Sequence, residues 1–177
     1  MTSRPTMLAL LIAAACFTPA AAHGPTPQKV EEKIDISKPA DAVWAIVKDF
    51  AGFCTWYPAL EKCEATGGNE SGATRTLTLK SGVIVEGLDE YKDADKTYAY
   101  RLSKENVDAL PVSFYSATIV VRSKGDGSEV EWTSRLYRAD TTNEPPENRN
   151  DAAAVAAMTD FFKAGLTALK TKAEAAQ

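Results

Sequence analysis

Apolar and polar positions repeat with two different periods along this chain, and the changes of period mark its elements. Residues 29–37 (KVEEKIDIS) place Val30, Ile34 and Ile36 in rough alternation, which predicts a strand. Ser37 before Lys38-Pro39 is a helix start signal, and Val43, Trp44, Val47 and Phe50 follow at helical spacing. A short amphipathic helix is expected over 39–49. Residues 53–60 (FCTWYPAL) are aromatic and broken by Pro58, which suggests short helical turns.

Beyond residue 60 the period is two. Residues 61–66 read as a short strand ended by Gly67-Gly68-Asn69. Residues 73–80 put Arg75, Leu77 and Leu79 on one face and threonines on the other. Ser81-Gly82 reads as a two-residue hairpin tip. Residues 83–93 align Ile84, Glu86 and Leu88; residues 97–104 align Tyr98, Tyr100 and Leu102. Residues 113–123 align Tyr115, Ala117, Ile119 and Val121, and after Gly125-Asp126-Gly127, residues 129–138 align Val130, Trp132, Ser134 and Leu136. The polar stretch 143–150 then gives way to an alanine-rich, proline-free run, 151–173. There Val155, Met158, Phe162, Leu166 and Leu169 recur every three or four residues, with Gly165 beside the stripe. A long helix with one apolar stripe must cover something, and the sheet is the available partner. The order of strand, helix, helical turns, six strands and long helix predicts one α+β domain over 29–173, with 23–28 as a lead-in and 174–177 as a tail.

The first residues follow a different logic. Arg4, the apolar run 7–17 (MLALLIAAACF) and Ala20-Ala21-Ala22 have the order of a secretory signal peptide over 1–22. The run is shorter than the roughly 20 residues that a stable membrane anchor needs, so cleavage after Ala22 and a periplasmic or secreted location are expected. Export changes the meaning of the cysteines. Cys54 and Cys63 remain and, in an oxidising compartment, form a candidate disulfide, with two free thiols as the alternative.

Composition excludes more than it assigns. Across 177 residues, 20 Lys and Arg stand against 24 Asp and Glu, which argues against a nucleic-acid partner. The single histidine, His23, falls at the expected mature N-terminus, so no histidine is left within the domain for general-base, metal or haem work. No cofactor is implied.

The segments KPADAVWAIVKDF (38–50), TWYPALEKC (55–63), GATRTLTLKSGVIVEGL (72–88), YAYRL (98–102), LPVSFYSATIVV (110–121) and VEWTSRL (130–136) resemble, in order and spacing, the START-like helix-grip superfamily. That superfamily includes polyketide cyclase/dehydrase-like proteins, lipid-transfer domains and plant hormone receptors. More narrowly, the cysteines in FCTWYPALEKC are similar to those of periplasmic accessory proteins of bacterial methanol oxidation. The resemblance implies a seven-stranded antiparallel sheet curled around the C-terminal helix, with a ligand cavity between them.

Arg75 and Glu86 are the informative residues in that frame. Both sit on apolar faces of neighbouring strands, as diagonal neighbours if Ser81-Gly82 is the tip. A lone charge there is costly, so the two are expected to pair or to meet a ligand. The resemblance to the hormone receptors assigns both to the ligand pocket and makes Ser81-Gly82 a gate at its mouth. Tyr100 and Tyr115 would add hydroxyls, Trp132 a flat face, Met158 and Phe162 a lid from the helix, and Glu61 a further carboxylate. The resulting expectation is an exported, non-catalytic binder of a small apolar or amphipathic molecule. Two alternatives stay open. One is an accessory protein docking on a periplasmic dehydrogenase or cytochrome. The other is a cyclase or dehydratase using Glu86 as base and Arg75 to stabilise an enolate.

Overall fold

The computed structural model describes residues 24–175; the expected signal peptide, Cys16 and His23 lie outside them. Seven strands form one antiparallel sheet: β1 (Gln28–Ile36), β2 (Lys62–Thr66), β3 (Thr74–Leu79), β4 (Gly82–Lys92), β5 (Thr97–Lys104), β6 (Val112–Lys124) and β7 (Gly127–Arg138). Their spatial order is β1-β7-β6-β5-β4-β3-β2, so β2 to β7 are a meander and β1 pairs with the last strand. Two α-helices, α1 (Ala40–Val47) and α2 (Asp151–Ala175), accompany them, with 3-10 turns at Phe53–Thr55 and Glu147–Arg149. The helix-grip α+β architecture is thus the observed one.

Period-two patterning decides which face is inward. Along β7, Val130, Trp132, Ser134 and Leu136 are buried, and along β4, Ile84, Glu86 and Leu88. In β6 a bulge between Val112 and Phe114 restores the phase, so that Tyr115, Ala117, Ile119 and Val121 face inward while Phe114 is exposed. Helix α2 lies on this inner face through Ala154, Met158, Phe162, Gly165, Leu166, Leu169 and Ala173. Ala154 takes the place in the stripe expected for Val155, which is only partly buried. Phe162 stacks on Trp132, with ring centroids 4.2 Å apart. Burial of each such side chain contributes roughly 1.5–3 kcal/mol. Gly165 permits that approach: a Cβ there would sit 2.7 Å from Trp132 Cζ3 and 3.2 Å from Tyr57 Cε1.

Two local expectations are corrected. Helix α1 is capped at Pro39 with no side-chain cap; Ser37 instead donates its N–H and its hydroxyl to Glu174 Oε1 at 2.9 and 2.8 Å, tying the end of α2 to β1. The β3–β4 turn consists of Lys80 and Ser81, with Leu79 opposite Gly82, one position earlier than a Ser81-Gly82 tip. Gly82, at φ +145°, takes the positive-φ position as the first residue of β4.

Candidate site around a buried ion pair

The earlier turn changes the pairing by two residues and brings Arg75 directly opposite Glu86, rather than diagonal to it. A two-residue change keeps every side chain on its face, so both charges remain inward. Both side chains are fully buried, and Arg75 Nε donates to Glu86 Oε2 at 2.5 Å. Arg75 Nη1 also donates to the Phe50 carbonyl at 3.2 Å. The other Glu86 oxygen accepts a hydrogen bond from the Tyr115 hydroxyl, which reaches across β5. Burial is the largest influence and works against the guanidinium charge, but the Glu86 carboxylate, with the Tyr98 and Tyr100 hydroxyls, together outweighs it and holds Arg75 protonated.

Aromatic rings enclose the guanidinium. Arg75 Cζ lies 4.2 Å from the Phe50 ring centroid, 4.1 Å from Phe53 and 4.7 Å from Tyr100. Desolvated contacts of this kind are worth about 2 kcal/mol or more. The Tyr100 hydroxyl accepts from Trp132 Nε1 at 2.9 Å. Burial, then the Glu86 charge, pushes the Tyr100 and Tyr115 hydroxyls well above the usual phenol range, so both stay protonated. Among the described residues, Arg75 Nη2 and the Tyr98 hydroxyl are buried without a well-formed hydrogen bond, although the Arg75 charge bears on Tyr98 and partly offsets the upward push of burial. Ser134 on β7 also holds a buried hydroxyl without a partner.

The structure therefore brings Arg75, Glu86, Tyr100, Tyr115 and Trp132 into one connected cluster. Phe162 joins it through Trp132, and Met158 is buried one helical turn away on α2. Glu61 does not join: it is exposed ahead of β2, where its N–H donates to the Thr78 carbonyl at 2.8 Å. The short edge strand β2 turns only Cys63 toward the core. Ser81 is at a hairpin tip, with its hydroxyl on the Ala109 carbonyl at 2.8 Å, and Gly82 packs against Asn106 and Ala109.

Phe50, Phe53 and Tyr98 were not predicted as site residues. Tyr98 shares the inward parity of Tyr100, so alternation alone could have found it. Phe50 and Phe53 come from a non-repeating segment, and nothing local shows that they meet across Arg75. They also pack on Tyr98, Tyr100 and Trp132, on the inner face where a cavity is expected. Surface grooves lie elsewhere, one of about 430 Å³ between Trp56, Pro58 and the Ala168–Thr171–Lys172 side of α2, and one of about 640 Å³ beside Thr76, Val83, Val85 and Asn106. Cys54 and Cys63 form a disulfide with Cα atoms 5.8 Å apart, tying the first 3-10 turn to β2. No group of three or more His, Cys, Asp or Glu side chains among the described residues is arranged to hold a metal.

The fold recurs among solved structures. A protein from Bacillus thuringiensis described as putative and uncharacterized shares 23% identity over 83% of this chain and 99% of its own, with a TM-score of 0.69. The protein XoxI from Bacillus cereus shares 22% over 83% of this chain and 96% of its own, also at 0.69. Zhui aromatase/cyclase from Streptomyces sp. R1128 shares 19% over 84% of this chain and 94% of its own, at 0.67. None of the curated proteins compared with the chain matches it. The family described as polyketide cyclase / dehydrase and lipid transport matches residues 27–174, almost the whole described domain; this chain belongs to that family.

Proposed function

We propose that this chain is an exported, non-catalytic helix-grip protein that binds one small apolar or amphipathic molecule between its sheet and α2. The ligand's polar end would sit at Arg75, Glu86 and Tyr115. One observation carries the reading: a fully buried ion pair stands on the inner face, and Arg75 Nη2 there lacks a well-formed hydrogen bond, with the Tyr98 hydroxyl as a polar neighbour of Arg75. A core made only for stability gains little from such a pair, because desolvation offsets most of the attraction. Retaining it is reasonable if the polar centre serves a ligand. The family's description, which includes lipid transport, supports the same class of ligand. A cyclase would need a base and an acid exposed to substrate; here Glu86 is engaged by Arg75 and Tyr115 at once.

The test is native mass spectrometry of the protein purified from its own periplasm. A copurifying small molecule that is lost in Arg75→Met supports the proposal. A ligand that survives in that variant, at unchanged affinity and on a folded protein, moves the site elsewhere. The same spectra read export: the mature mass should begin at His23, and a mass retaining residues 1–22 would refute cleavage.

A further inference from the structure

The cover over Arg75 is one short segment, residues 50–60, which belongs to neither the sheet nor α2. It supplies Phe50 and Phe53 to the guanidinium and Trp56 and Tyr57 to the ring cluster behind them. Few bonds hold it. The Phe50 N–H donates to Asn69 Oδ1 at 2.9 Å, the Tyr57 hydroxyl to the Phe161 carbonyl at 2.7 Å, and Lys172 Nζ to the Thr55 carbonyl at 2.6 Å. The covalent tie is Cys54, the residue after Phe53, bonded to Cys63. Cys63 sits opposite Leu77, two residues along β3 from Arg75. The disulfide thus joins the cover to the strand pair beside the residue it covers. Both cysteines are only partly buried, whereas Arg75 and Glu86 are sealed.

We propose that the Cys54–Cys63 disulfide is a redox latch on access to the Arg75–Glu86 centre. Oxidised, it holds Phe53 and Trp56 in place; reduced, it frees residues 50–60 to swing out and admit a ligand. The reductant is a dithiol. One of its thiolates attacks a sulfur of the disulfide, the S–S bond breaks, and a mixed disulfide forms. Its second thiol then displaces the remaining cysteine. Two electrons and two protons pass to Cys54 and Cys63, and the reductant leaves as its own disulfide. In the chain-entropy account, losing so short a cross-link raises the opening equilibrium of the segment by at most about 100-fold. This inference rests on the ligand-binding reading above.

The experiment compares the full chain oxidised, the chain reduced with dithiothreitol, and the Cys54→Ser/Cys63→Ser variant. Hydrogen exchange is followed by mass spectrometry, and binding of 1-anilinonaphthalene-8-sulfonate by fluorescence. Exchange over residues 50–60 should quicken at least tenfold in both thiol forms while β6 and β7 keep their protection. The dye should bind at least tenfold more tightly, with native near-ultraviolet dichroism retained. Unchanged exchange at 50–60 would overturn the latch, as would quickened exchange across the whole sheet, which would make the disulfide a global staple. Local quickening with equal dye binding in both redox states would overturn access control and leave the binding reading standing. Local quickening with no dye bound in either state would sink both.

Discussion

Replacing Arg75 with methionine isolates the energetics of the buried centre. The side chains are similar in length, and a thioether sulfur retains part of the attraction to the three surrounding rings, so the main loss is the charge. Breaking a buried pair by removing one partner costs roughly 3–5 kcal/mol, because the other charge is left in the core. Glu86 has one escape, which is to take up a proton. At pH 7 that costs about 1.4 kcal/mol for each pH unit above the ordinary glutamate value of about 4.3, or about 3.7 kcal/mol; at pH 5 it costs only about 1 kcal/mol. The sign follows from proton counting. The folded variant holds a proton that its unfolded chain releases, so its stability falls as pH rises. Urea unfolding, followed by tryptophan fluorescence and compared with the unmodified protein at each pH, should show a deficit of about 4 kcal/mol at pH 7. At pH 5 the deficit should be smaller by about 2.5 kcal/mol. Adding Glu86→Gln, which preserves an acceptor for Tyr115 and cannot titrate in this range, should abolish the pH dependence. A deficit under about 1 kcal/mol at pH 7, or one equal at both pH values, would refute the reasoning, because the carboxylate would then be reaching water.

Three other outcomes are expected. Tyr115→Phe removes the hydroxyl that donates to Glu86, so it should cost about 1.5–3 kcal/mol in urea unfolding with the fold unchanged. Gly165→Ala should gain up to about 1 kcal/mol of helix propensity but lose more, since its Cβ meets ring atoms of Trp132 and Tyr57 that cannot swing aside; a net loss of about 1–2 kcal/mol should accompany a changed near-ultraviolet dichroism. Glu174 has its pKa held below the ordinary glutamate value, first by the Ser37 N–H and then by the Ser37 hydroxyl. Its contribution is present above that ordinary value and is lost as pH falls through the lowered one. Amide protection in the last turn of α2, measured against the intrinsic exchange rate at each pH, should therefore fall in acid, and Glu174→Gln should remove that acid dependence.

Much of this protein is legible in its amino-acid order because period-two and period-3.6 patterns are local signals. Most inward strand residues follow from alternation, with Val112 set apart from Tyr115 by the β6 bulge, and the α2 stripe follows from its spacing, to within the exchange of Val155 for Ala154. The family resemblance rests on the same order of segments, and a cysteine pair in a chain expected to be exported already suggests a bridge. What alternation cannot distinguish is a register moved by two residues, because every face assignment survives the move. Only the folded hairpin, turning at Lys80-Ser81, sets Arg75 straight across from Glu86. The aromatic cover is likewise a tertiary decision. Phe50 and Phe53 lie 25 and 22 positions before Arg75 in a segment without period, and they meet its guanidinium because packing, the disulfide and the Asn69 contact bring that segment over β3. Glu61 shows the converse: a carboxylate beside a strand is inward or outward according to where the edge of the sheet falls, and that depends on which strands pair, not on its neighbours in sequence.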